Sequence, residues 1–192
     1  PSARSAVDAT AGQVLRFGGQ FAEIMYSSCC GGHTEASNEA WGGVPFPYLG
    51  GVVCPHCTAS PNYRWHRDLA LEAIAAAFTQ ETGGYGTVRG VRTSALDSSG
   101  RARTVELVCE RGSAFVKGSA FRSRVGSRTV PSLLIMKIDA PPEAPERISI
   151  EGGGLGHGVG LCQWGARGMA LDGASASDIL NFYFPGTTIG HD

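Results

Sequence analysis

The sequence predicts an α+β fold: an antiparallel strand-rich domain with about three helices and long Gly-rich loops. Three observations point that way. Short runs that alternate apolar and polar residues recur between turn residues, as half-buried strands do. Segments of helical period are few and lie at the middle and the C-terminal end. The 28 glycines show no collagen-like period and collect in turns and in two polar stretches. A chain of 192 residues can bury one substantial core, and a single domain over 1–192 is expected.

Gln13 to Phe17, the turn Gly18-Gly19, and Phe21 to Tyr26 read as a hairpin. An irregular stretch from Ser27 to Asn62 follows, dense in Gly, Pro, Cys and Ser; loops of that length are usually functional. Within it, Glu39 and Trp41 suit a short helical turn with Ser37 as N-cap. His66 to about Gln80 has helical spacing through Leu69, Ala73, Ala76 and Phe78, stopped by Gly83-Gly84. Strands are expected over Thr87–Leu96 and Arg103–Cys109 around the turn Asp97-Ser98-Ser99-Gly100, and then over Ala114–Lys117 and Leu133–Ile138. Pro141, Pro142 and Pro145 mark a linker or exposed loop, and Arg147 to Ile150 a short strand. Two C-terminal helices close the chain: Gln163–Leu171, ended by Gly173, and Ser177–Phe184, ended by Pro185-Gly186.

Composition excludes several classes. With 16 basic against 17 acidic side chains and no long basic run, no nucleic-acid or anionic-membrane partner is expected. No apolar stretch is long enough for a membrane span. No leader pattern is visible and the chain opens at Pro1, so a mature product or a fragment is expected. The even number of cysteines leaves the redox compartment open.

Two polar, glycine-rich segments carry the functional signal. The first runs Tyr26-Ser27-Ser28-Cys29-Cys30-Gly31-Gly32-His33-Thr34, then Glu39-Ala40-Trp41-Gly42 and Pro47-Tyr48-Leu49. The second runs Gly156-His157-Gly158-Val159-Gly160-Leu161-Cys162-Gln163-Trp164-Gly165-Ala166, then Ile179-Leu180 and Tyr183-Phe184-Pro185-Gly186-Thr187. In these residues, and over essentially its whole length, the chain resembles the family of stage II sporulation protein D and the amidase enhancer LytB (SpoIID/LytB). The resemblance implies an extracytoplasmic bacterial protein acting on peptidoglycan in the cell wall, secreted or periplasmic. Its sporulation members look like lytic transglycosylases that cut the glycan strand, and its enhancer members are linked to a partner amidase. Members usually carry a preceding segment with a catalytic glutamate, and some a Cys/His zinc cluster. Neither is found here, where the match begins near Ala6 to Gly12. The acid would then come from a missing N-terminal part on another chain, or have been cleaved off or lost.

Glycan cleavage needs an acid on the leaving oxygen, and in a lytic transglycosylase one carboxyl of raised pKa serves as acid and then as base. Here the carboxyl candidates are Glu35 and Glu39, with a supporting role preferred for Glu39; exposure on a short helix is the plainer alternative for both. His157 is the third candidate, to orient or exchange a proton; otherwise it bonds neighbouring backbone. Ser28, His33, Thr34 and Gln163 offer hydrogen bonds to sugar hydroxyls, and Trp41 and Trp164 a stacking platform or core packing.

Cys54-Pro55-His56-Cys57 reads three ways. With two more ligands from Cys30, Cys162, His33 or His56 it holds zinc, a closed structural site if all four are Cys30, Cys54, Cys57 and Cys162; alternatively these cysteines form disulfides. As a thioredoxin-like redox pair it lacks the helix that should follow directly, since Thr58-Ala59-Ser60-Pro61 comes instead. The expected function is a peptidoglycan-processing, lytic-transglycosylase-like domain. A non-catalytic wall-binding or amidase-activating module is the runner-up, and a metal or thiol-redox protein a distant third.

Overall fold

A computed structural model describes residues 3–140 and 146–192. It is an α+β fold with, among the described residues, three antiparallel sheets, one short parallel pair of strands and seven α-helices, more than the three expected. None of the helices among the described residues is long and apolar enough to cross a membrane. The prolines read as a linker, Pro141, Pro142 and Pro145, lie outside the described residues.

The chain opens with α1 (Ala3–Ala9), for which no sequence signal was read, followed by β1 (Gln13–Phe17). The hairpin expected after β1 is cut short. β2 (Gln20–Phe21) pairs with it for two positions, and β3 (Tyr26–Ser27) leaves for a different sheet. In α2 (Ser37–Trp41) the N-cap is Ala36 and no side chain caps it, so Ser37 is inside the helix and buried. Two 3-10 turns, Pro47–Leu49 and Pro55–Cys57, each start on a proline, whose fixed φ suits a first helical position.

The segment expected to be helical from His66 begins instead as β4 (Trp65–Ala70), which buries Trp65 and Leu69. It pairs antiparallel with β9 (Arg147–Gly153), and this pairing overrides the helical spacing until α3 (Leu71–Ala77) and α4 (Thr79–Thr82). β5 (Val88–Leu96), β6 (Ala102–Cys109) and β7 (Gly112–Lys117) form one meander. Helix α5 (Gly118–Val125) and β8 (Leu134–Asp139) follow, and β8 pairs antiparallel with β9.

After β10 (Leu161–Cys162), α6 (Gln163–Leu171) and α7 (Ala176–Tyr183) match the two expected helices. The cap of α7 is Ser175, not Ser177. Its hydroxyl and backbone pair reciprocally with Asp178 three residues on, which is a capping box. β11 (Thr188–His191) returns to pair with β1.

The molecule has two apolar centres. The larger packs α3 and α5 on the β4–β9 and β5–β7 sheets, with Phe78 and Phe121 stacked at 6.1 Å and fully buried. The smaller gathers Tyr48, Leu49, Val159, Met169, Tyr183 and Phe184 around five of the six cysteines. This second centre is where the remote polar segments meet.

Candidate active site and cysteine cluster

The two glycine-rich segments are joined along their length. β3 and β10 pair in parallel, Tyr26 with Leu161 and Ser27 with Cys162. Isolated bridges continue the seam from Cys29 to Leu155 and from Glu35 to Val159, where the Glu35 N–H donates to the Gly158 carbonyl at 3.0 Å. Glycine is required at position 158. It adopts φ +86°, and a Cβ there would lie 2.6 Å from the Arg101 guanidinium carbon.

This seam floors a cleft of about 560 Å³ lined by Glu35, Glu39, Trp41, Asp97, Arg101 and His157. A second hollow of about 520 Å³, with Ser28, Gln163, Arg67, Arg122 and Arg128 on its walls, shares His157 and Arg122 with the first. Volumes of this order suit small ligands or a few sugar rings.

Glu35 is the unusual group. It is only 2% exposed and is held by backbone pairing rather than by a helix, against the alternative of an exposed surface glutamate. Its Oε2 accepts from the Ser99 hydroxyl at 3.0 Å and lies 3.4 Å from Arg101 Nε, while Oε1 has no hydrogen-bond partner among the described residues. Burial, first, and the neighbouring Asp97 carboxylate push its pKa up to about 8, although Arg101 and Ser99 pull the other way. Arg101 turns Nε toward Glu35 without a hydrogen bond to it, and its two terminal nitrogens are directed elsewhere. Nη1 donates to the His33 carbonyl and Ser99 Oγ at 3.1 and 2.8 Å, and Nη2 to the Cys30 carbonyl at 2.7 Å. Asp97 accepts the Ser99 and Arg101 backbone N–H groups, both at 2.9 Å. With its pKa at about 8, Glu35 carries a proton at neutral pH.

Glu39 sits on α2 with a carboxylate that accepts from the Ser98 N–H and hydroxyl at 3.0 and 2.6 Å. The carboxylates of Glu35, Glu39 and Asp97 lie within 4.8 Å of one another. His157 Nδ1 accepts the Val159 N–H at 3.0 Å, which leaves its proton on Nε2 in the neutral ring. Its pKa is lowered, chiefly by burial. The ring leans on Trp41 at 5.1 Å, and Trp41 is 55% exposed.

The other expected site residues divide between cleft and scaffold. Ser28 and Gln163 line the second hollow. His33 and Thr34 are bound into the backbone: the His33 ring meets the Thr34 carbonyl at 2.6 Å, and the Val52 N–H donates to Thr34 Oγ1 at 2.7 Å. Trp164 packs against the smaller apolar centre beneath Arg167. Asp97, Ser99 and Arg101 were missed, because Asp-Ser-Ser-Gly reads as an ordinary turn.

Outside the lining of the cleft, Cys30, Cys54, Cys57 and Cys162 bring four sulfurs within 4.8 Å of one another, close enough to share one metal ion. All four are fully buried, and all are free thiols. Cys109 lies apart, in the larger centre on β6.

A carboxyl cleft and a thiol cluster thus both sit against the two joined glycine loops, and over nearly its whole length the chain is similar to proteins named amidase enhancer and stage II sporulation protein D. The chain is 33% identical over 98% of its length to an uncharacterized protein of Brachyspira hyodysenteriae, 48% of which it covers. It is 32% identical over 96% of its length to the amidase enhancer of Bacillus subtilis and 28% identical over 96% to stage II sporulation protein D of the same organism, covering 32% and 50% of them. It thus spans from a third to a half of the length of these relatives. Residues 55–160, more than half of the chain, match a family described as a domain of unknown function, DUF8618, and the chain belongs to that family.

Proposed function

We propose that this domain engages the glycan strand of peptidoglycan outside the bacterial cytoplasm and cleaves it as a lytic transglycosylase does, with Glu35 as the proton carrier. The single observation behind this reading is a buried carboxyl, its pKa pushed up to about 8 and one oxygen without a hydrogen-bond partner, lining a cleft that also offers Trp41 and His157. The chemistry balances with one carboxyl. Glu35 gives its proton to the leaving glycosidic oxygen as that bond breaks, and the muramyl residue's own primary hydroxyl closes on the anomeric carbon. That hydroxyl's proton then returns to Glu35. The carboxyl groups of Asp97 and Glu39 stand close enough to stabilise the positive charge that develops on the sugar ring. The neutral ring of His157 and the exposed face of Trp41 position the strand, and Ser28 and Gln163 bond its hydroxyls from the adjoining hollow. Zinc at the four cysteines would be structural in this reading, since four thiolates leave no open coordination position.

The test is digestion of purified glycan strands. Release of 1,6-anhydro-muramyl products by the wild-type domain, and none by Glu35→Gln, is the expected outcome. A second reading, a non-catalytic module that activates a wall amidase, is favoured by the name of the amidase-enhancer relative. Retained wall binding with no anhydro product would select it over the first.

A further inference from the structure

We propose that Cys30, Cys54, Cys57 and Cys162 are the four ligands of one tetrahedral zinc ion that ties the two glycine-rich loops together. This stands independently of the glycan reading, because none of the four lines the cleft. Zinc–sulfur bonds of about 2.3 Å set the edge of a tetrahedron of sulfurs at about 3.8 Å. The Cys30 and Cys57 sulfurs are 3.6 Å apart, far longer than a disulfide bond of about 2.0 Å.

The ligand pattern is that of a structural zinc site: a Cys-x-x-Cys pair on the proline-started turn Pro55–Cys57, completed by two single ligands from remote segments. The surroundings are built for thiolates. Cys162 Sγ accepts the backbone N–H of Cys30 at 3.2 Å and of Gly165 at 3.3 Å, at the positive end of α6. The Tyr183 hydroxyl meets Cys54 Sγ at 3.0 Å. Such outer donors temper the charge on coordinated sulfur and fix its direction. Gly165 is glycine because a Cβ would lie 2.6 Å from Cys54 Sγ and against the Tyr183 hydroxyl.

Loading the site takes one Zn²⁺ and releases the protons still held by the thiols, with no change of oxidation state. The full chain, purified under reducing conditions with any affinity tag removed, is expected to hold about one zinc by elemental analysis. Its cobalt-substituted form should show the intense near-ultraviolet absorption of cobalt bound to four thiolates. Cys57→Ser should lose both signals, and Cys109→Ser should keep them. Because Cys57→Ser can fail to fold, a strong chelator is applied to wild type as well. It should expose four reactive thiols and lower the melting temperature by about 10 °C or more. Metal-free protein whose intact mass is reduced by two disulfides, melting that chelation leaves unchanged, or a cobalt spectrum that survives Cys57→Ser would each overturn the assignment.

Discussion

Replacing Glu35 with glutamine separates a carboxyl that holds a proton from one that is ion-paired with Arg101. The amide is close in shape to the protonated acid and cannot ionise. With a folded-state pKa near 8 against 4.5 for the free group, folded wild type keeps its proton across a window in which the unfolded chain has lost it. Stability from this group is therefore complete below about pH 4.5 and declines by about 1.4 kcal/mol per pH unit as pH rises. The decline ends near pH 8, where the folded protein also releases the proton, after a loss of about 3 to 5 kcal/mol. Urea unfolding of wild type and Glu35→Gln at half-unit steps from pH 5 to 9 reads this directly, since the other titrating groups cancel in the difference. The stability of the variant relative to wild type should climb through the window and level off above it. If the proposed role holds, wild-type glycan cleavage should fall as pH passes about 8, since an acid catalyst must enter protonated. A difference that stays flat from pH 5 to 8, with the variant uniformly less stable, would mean that Arg101 keeps Glu35 ionised and would refute the reasoning.

Trp41→Ala should weaken glycan-strand binding roughly tenfold while moving stability by less than about 0.5 kcal/mol, because the ring is mostly exposed beside His157; co-sedimentation and thermal melting check the two halves. Gly165→Ala forces a methyl group onto Cys54 Sγ and the Tyr183 hydroxyl and should cost about 3 kcal/mol or more in denaturant unfolding. Ser175→Ala removes the capping box of α7 and should cost about 1 kcal/mol by the same measurement, with cleavage unaffected.

What could be read in advance depended on whether the signal was local. α6 was legible because a helical run starts at Gln163 and stops before Gly173, and nothing distant competes with it. The stretch from His66 was misread because Leu69 fits both a helical and a strand period, and only its partner β9, far along the chain, decides between them. Ser177 looked as good a cap as Ser175, but only Ser175 has Asp178 at the reciprocal position. The four cysteines could be named from residue type, but not whether they meet at one point or pair as disulfides; the fold brings their sulfurs together. The proton-holding network could not be. The properties of Glu35 come from Asp97, Ser99 and Arg101, whose own neighbourhood is an unremarkable turn.

The parallel seam of β3 and β10 is only two residues long in each strand, yet it closes a loop that runs from Ser27 to Leu161. Contacts of such sequence separation form late and slowly, because the chain entropy lost on closure is not offset until both ends dock. A growing polypeptide therefore cannot complete its cleft before the residues through Cys162 have been made and released. Whatever the cleft does stays latent until the second glycine-rich loop has emerged, a form of timing set by the order of the residues along the chain.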